Sequence, residues 1–533
     1  MKIKTLLTAL TLMCGLQAVH GQQSEGNSDF HLAPPRKEIR HKLSGHPQDN
    51  DLPETAARAS GEYIMKAFPT MGEIRGLVIL AEFTDVSFSV SADSIKTLLS
   101  NRFNAEGYSE EVKFNEYSGV FGEYLPLDVT IPGSARDYFK AQSFGQFEPT
   151  FDVVGPVTLD SVRAYYGANN SSGNDKNTLG MIRDACEKAN SLSLTNFADY
   201  DNDKDRKVDI VYVVYAGCDE AQTGIEEAIW AKASSKEFTV NDSITVCRYA
   251  CSGELVIDLP VVAGIGTFVH EFSHVLGLPD FYNTTATDFT MDVWSVMDYG
   301  MYNAEGFVPN AYTAFERYSL GWIPMHTLDQ PATMSIGTTE EDSTGYRIFT
   351  SDISDMSVVT AADTASFYLV ENIRKEGWNK YAPNNGLLIS EVTYDADAWK
   401  NNIVNAGAQH RYCIVPANND YSYKSANKHL FGAEVVDKET QQVFINPTFT
   451  IDSTPASITQ FGATMDNPLT DIHYDATTGR TTFNFRGGDV ENGMDELRMH
   501  NSDFSIHYDL LGRPVANPSK GIYIVNGKKV IFK

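Results

Sequence analysis

The stretch Gly264–Tyr282, GIGTFVHEFSHVLGLPDFY, decides how this chain is read. His270, Glu271 and His274 stand as H-E-x-x-H, and Gly277 and Asp280 extend the spacing to H-E-x-x-H-x-x-G-x-x-D. On a helix, residues four apart share a face, so both imidazoles can reach one metal ion while Glu271, one position on, reaches a water beside it. Gly277 lacks a Cβ and can take the left-handed conformation that ends a helix, and Pro279 discourages its continuation. The chain can then turn back and present Asp280 as a third ligand. The rival source of that ligand is a downstream acid such as Glu305 or Glu316. Three protein ligands leave a position for water, whose pKa zinc lowers to about 7, and Glu271 is placed to take its proton and pass it to a leaving amine. The expected chemistry is metal-assisted amide hydrolysis.

Upstream, IRGLVILAEFTDVSF (Ile74–Phe88) is a β-branched, apolar run of the kind that makes a central strand. DYFKAQSFGQFEPTFDVVGPV mixes a helical stretch with a strand, LGMIRDACEKANSL reads as an amphipathic helix, and VDIVYVVYAG as another buried strand. This is α/β patterning. After Trp322 it gives way to short runs such as SFYLVENI, GLLISEVTY and QQVFINPTFTI, separated by Gly, Asn, Asp and Pro, which predict a mostly-β region. From about Glu491 a further module closes the chain, with the strand GIYIV and an Asn526-Gly527 hairpin turn into KKVIFK. A chain of 533 residues exceeds what one core usually serves, so several units are expected. The boundaries are 1–21 signal peptide, 22–72 pro-segment or linker, 73–325 catalytic domain, 326–490 β-rich accessory domain and 491–533 terminal β module.

The signal peptide rests on MKIKTLLTALTLMCGLQAVHGQQ, with its lysines, an apolar run from Thr5 to Leu16 and small residues near Ala18 to Gly21. That run is too short to span a bilayer, and no later stretch is long enough, so no transmembrane segment is expected in the mature chain. A formal net charge of -28 repels phosphates and argues against nucleic acid as a partner. Cys186, Cys218, Cys247, Cys251 and Cys413 remain after the leader, in a compartment that permits disulfides, and one disulfide among the middle three is expected. Asp201, Asp203, Asp205 and Asp209 crowd one loop ahead of a strand. Such carboxylates repel unless a hard cation gathers them, which makes the loop a candidate calcium site, although Arg206 stands where an EF-hand wants Gly.

The extended zinc spacing followed by a tight turn containing methionine, VWSVMDYGMYN (Val293–Asn303), resembles the metzincin clan of metallopeptidases. With Asp280 in place of a third histidine, and GLPDFY, DYFKAQSFGQF, VVGPV, VYVVYAG and AFERYSLGW around it, the chain specifically resembles the immune inhibitor A-like family from about Ile74 to Trp322. The resemblance implies a metzincin-like α/β catalytic domain and a zinc endopeptidase acting on protein or peptide substrates. It implies His270, His274 and Asp280 as zinc ligands, Glu271 as general base and Met297 as the floor beneath the metal. Tyr299, two residues after Met297, matches metzincins whose tyrosine stabilises the oxyanion, and a packed core role is the alternative. The terminal YDLLGRPVANPSKGIYIVNGKKVIFK resembles the sorting domain of type IX secretion cargo in Bacteroidetes. This implies outer-membrane secretion machinery as a partner and a secreted or surface location in a Gram-negative bacterium.

Overall fold

A computed structural model describes residues 68–100, 131–171, 174–257, 259–286, 288–350, 365–437 and 440–488, together with the strand backbones 507–508, 514–515, 521–525 and 528–532. The expected signal peptide, most of the expected pro-segment and the side chains of the terminal module lie outside the described residues.

Strand β1 (Gly72–Glu82) is the centre of the first sheet, and Leu77 to Ala81 are completely buried along it. Its neighbours β2 (Phe147–Thr158) and β3 (Val211–Cys218) both run parallel to it. Next to β3, also parallel, lies β5 (Tyr249–Ile257), while β4 (Lys232–Ser234) and β6 (Leu259–Val262) pair antiparallel with β5. The order is β2-β1-β3-β5-β4, with β4 at the edge. A parallel sheet covered on both faces needs strands apolar on both faces, which is why the runs are continuous and not alternating. Successive residues of β1 serve opposite sides. Leu77, Ile79 and Ala81 meet Met181, Ile182 and Ala185 of helix α3 (Thr178–Ser191), whereas Val78 and Leu80 face the cluster containing Phe268 and Phe272.

Those two phenylalanines belong to α4 (Gly266–Leu276), every residue of which is buried, and their rings lie 4.9 and 5.1 Å from Phe151 of β2. Helices α1 (Ala92–Ser100) and α2 (Ala135–Gln142) cover the same face. Phe68 and Thr70 join the same packing: the Phe68 ring lies edge-on against Phe272, and Trp322 Nε1 donates to the Thr70 carbonyl at 2.8 Å. Gly266 is demanded by its surroundings. A Cβ there would overlap the Met301 carbonyl oxygen, so the start of α4 can lie against the segment Tyr299–Gly306 only without a side chain.

After α5 (Ala314–Ser319) the architecture is β-rich. A five-stranded sheet has the order β12-β11-β10-β9-β7, formed by β7 (Met325–Thr327), β9 (Gly345–Phe349), β10 (Ala365–Ile373), β11 (Gly386–Tyr394) and β12 (Tyr412–Ile414). A three-stranded sheet, β8 (Ala332–Ile336), β14 (Arg480–Phe485) and β13 (Leu469–Asp475), packs on one face of it. Alternate residues of β10 divide the work: Tyr368 and Val370 face that small sheet, while Phe367 and Leu369 join the core of α4. The apolar core is therefore continuous across the expected boundary at 325. Four terminal strands, including Gly521–Val525 antiparallel to Lys528–Phe532, form a separate sheet. Among the described residues no helix is long and apolar enough to cross a membrane. The expected disulfide is not formed. None of the five described cysteines is in a disulfide; four are buried, Cys186 and Cys251 among them within an apolar cluster.

His429 joins the two halves. Trp294 Nε1 donates to its Nδ1 at 3.3 Å, and its Nε2 lies 3.1 Å from the Asp420 carbonyl, an arrangement that requires a neutral ring. Burial pushes its pKa from 6.5 down to about 4, against the opposing pull of Asp420. The contribution to stability is fully present above the unfolded value of 6.5 and is lost as pH falls toward 4, because only the unfolded chain takes up the proton in that window. The loss should be on the order of 3 kcal/mol. Urea unfolding at pH 7.5 and pH 4.5 should show a smaller acid loss in His429→Gln than in the wild type, and equal losses would contradict this role.

Candidate metal centre

Helix α4 sets His270 and His274 one turn apart, with ring centroids 4.8 Å from each other. The helix stops where Gly277 adopts φ 106°, its N–H returning to the His274 carbonyl at 2.9 Å. The turn brings Asp280 back, and its Oδ1 lies 3.2 Å from both His270 Nε2 and His274 Nε2. The other ring nitrogens are committed to backbone carbonyls. His270 Nδ1 lies 2.8 Å from Val296 O and His274 Nδ1 lies 2.7 Å from Leu278 O. A carbonyl only accepts, so each Nδ1 carries the proton, and in the neutral rings both Nε2 lone pairs face the Asp280 oxygen. Three electron-rich atoms in a buried site need a cation between them. The donor set of two imidazoles and one carboxylate is one that zinc accepts, with room for a further ligand.

Without a metal, a proton on an imidazole takes the cation's place: burial alone would raise the Asp280 carboxyl, but charged His274 and the hydrogen bonds from His270 and His274 hold it well below the usual carboxylate range. Glu271 is also buried, and burial pushes its carboxyl up to about 8, opposed by His270 and reinforced by the charge of Asp280. A cation held by the three ligands would draw it back down. These four residues line one cavity of about 390 Å³. Trp230, Lys232 and Ala233 in and next to the edge strand β4 also line it.

Met297 is fully buried, and its carbonyl accepts the Phe281 N–H at 2.8 Å, so the methionine turn and the ligand turn are tied together. Val296, the residue before it, supplies the His270 acceptor. Tyr299 lines the cavity, and so does Tyr302, which sequence reasoning did not single out. Glu316, the rival ligand, is engaged elsewhere: it accepts from Ser295 Oγ at 2.6 Å and from the Thr313 N–H at 2.5 Å, capping α5. Glu305 is not among the grouped donors either. Asn402 was also missed. Its Nδ2 donates to Asp280 Oδ2 at 2.8 Å and its Oδ1 accepts the Asp280 N–H at 2.7 Å.

In the acidic loop Asp201, Asp203 and Asp205 bring carboxylate oxygens within 4.8 Å of one another. Asp209 stands apart from that group. It is the most buried of the four, and its Oδ2 accepts from Asn202 N at 2.7 Å and Asn202 Nδ2 at 2.9 Å, which fastens the loop to the start of β3.

Residues 70–324 match the family model described as Immune inhibitor A peptidase M6, catalytic domain. The matched segment holds His270, Glu271, His274, Asp280, Met297 and Tyr299. Two relatives agree. Immune inhibitor A of Bacillus thuringiensis subsp. alesti is 24% identical over 266 residues, 44% of this chain and 38% of the relative. Pre-pro-metalloprotease PrtV of Vibrio cholerae serotype O1 (strain M66-2) is 24% identical over 282 residues, 46% of this chain and 29% of the relative. The chain thus spans less than two fifths of the length of the curated relatives it matches. The matched model describes a peptidase catalytic domain, and one of the two relatives is named a metalloprotease.

The ligand assignment separates cleanly by substitution. Asp280→Ala should leave two imidazoles and lose stoichiometric zinc on dialysis, whereas Glu316→Gln should keep it. Metal analysis showing the reverse pattern would transfer the third ligand to Glu316.

Proposed function

We propose that this chain is a secreted zinc endopeptidase of metzincin type, acting on extracellular proteins or peptides. The observation that carries the reading is the convergence of two Nε2 atoms and the Asp280 carboxylate, with Glu271 on the same helix and the same cavity. Zinc held by His270, His274 and Asp280 would supply a Lewis acid and a water with its pKa lowered to about 7. Glu271 does not ligate; it takes a proton from the attacking water and hands it to the leaving nitrogen. Its buried setting suits a carboxyl that must hold that proton between the two transfers. Tyr299, on the cavity wall, donates to the carbonyl oxygen as charge develops there. An extended substrate would lie along β4, where a strand edge can pair with a peptide backbone.

Export fits the leader 1–21 and the terminal module 491–533, which we read as a type IX sorting domain addressed to the outer-membrane machinery of a Gram-negative cell. The loop of Asp201, Asp203 and Asp205, with Asp209 behind it, is read as a calcium site that stiffens the entry to β3. Asp203→Ala with Asp205→Ala should lower the melting temperature in calcium and change it little in chelator, since ligand-linked stabilisation exists only when the site is filled. An equal loss in both conditions would remove calcium from the account.

The catalytic reading is tested by Glu271→Gln. The variant should bind zinc as the wild type does and lose proteolysis of a mixed protein substrate by at least ~100-fold. Comparable activity in the variant would refute the mechanism.

A further inference from the structure

We infer that Asn402 is a positioning residue of the metal centre, so that the β-rich half completes a site whose ligands all lie in the family-matched segment. This rests on the reading of His270, His274 and Asp280 as a metal site, and goes beyond it by naming what aims the third ligand. The matched segment ends at 324, and Asn402 stands 122 positions after Asp280. The contact is reciprocal and buried: the amide oxygen accepts the Asp280 backbone N–H, and the amide nitrogen donates to Oδ2 of the same residue. Only a side chain with a donor and an acceptor can do both. With Oδ2 engaged by Asn402, it is Oδ1 that faces the two Nε2 atoms. The carboxylate is thereby oriented to ligate through one chosen oxygen, as outer partners of metal ligands do.

The surroundings hold Asn402 in place. The short helix Ala396–Lys400, capped by Asp395, buries Trp399 beside Phe315 in the shared core. The chain then turns at Asn402 with φ 54°, a left-handed value that Asn tolerates better than most residues. Beyond it the two segments stay fastened: Asn405 Nδ2 donates to Phe281 O at 2.6 Å, and Asn283 Nδ2 donates to Gly407 O at 2.9 Å. The ligand turn 280–283 is therefore clamped along its length by residues 402–407.

The test uses the full chain and zinc itself, with affinity read by competition against a chromogenic chelator. Asn402→Gly removes the amide and accepts the left-handed backbone; it should weaken zinc binding by about 10- to 100-fold. Asn402→Asp keeps the acceptor but sets a second carboxylate against Asp280, and should weaken it further. Asn402→Ser, whose hydroxyl replaces one bond at a time, should fall between wild type and Asn402→Gly, and it serves alone if either other variant does not fold. Cobalt substitution adds a readout that simple destabilisation does not move: the visible absorption of the bound metal should change in Asn402→Gly and stay wild-type in Ile182→Val, a core substitution on the other face of the first sheet. Zinc affinity within twofold of wild type, with an unchanged cobalt spectrum, would overturn the inference while leaving the peptidase reading intact. A wild-type chain that binds no zinc would overturn both.

Discussion

Two imidazole lone pairs and a carboxylate oxygen meet in a buried pocket, and much of the surrounding structure exists to make that meeting tolerable. Each histidine gives its other nitrogen to a fixed carbonyl, one from the helix-terminating turn and one from the methionine turn. Those two turns are tied to each other by the bond from Phe281 to Met297. Left alone, electron-rich groups 3.2 Å apart would repel and the turn would open, so the geometry makes sense as a cradle for a cation.

Much of this was legible from spacing. The i, i+4 placement of His270 and His274 follows from helical geometry, and Gly277 takes the left-handed helix end that its missing side chain permits. The central strands were legible for a different reason: a parallel sheet covered on both faces shows as unbroken apolar runs, and Leu77–Ala81 and Val211–Cys218 are such runs. What stayed hidden depends on contacts distant in sequence. Asn402 sits in a polar stretch with no motif, and nothing in its neighbourhood reports that its amide closes on Asp280. Tyr302 reaches the cavity because Gly266 lets residues 299–306 lie against the start of α4, a packing fact invisible to periodicity. Counting carboxylates in the acidic loop could not show that Asp209 turns inward to Asn202, since spacing carries no information on burial. An export leader suggested a bridge among the cysteines, but Cys186 and Cys251 are packed in the apolar core and Cys413 is engaged by Glu391 and Gln460.

The division of the chain near residue 325 is a change of pattern more than a change of core. Phe268, Met297 and Phe315 share one apolar cluster with Phe367, Trp399 and Tyr412, so the β-rich half is packed against the metal helix and its turns. That helps to explain how a residue of one half can act on a ligand of the other. It also couples stability to the site: His429 of the second half receives the Trp294 indole next to the methionine turn, and its protonation would loosen the floor of the centre.

The most direct measurement is anomalous diffraction at the zinc edge from crystals of the full chain grown with zinc. The account predicts one peak within bonding distance of His270 Nε2, His274 Nε2 and Asp280 Oδ1, with Asp280 Oδ2 still held by Asn402. A zinc ion bound by Glu316, or one that leaves Asp280 outside its coordination sphere, would contradict it.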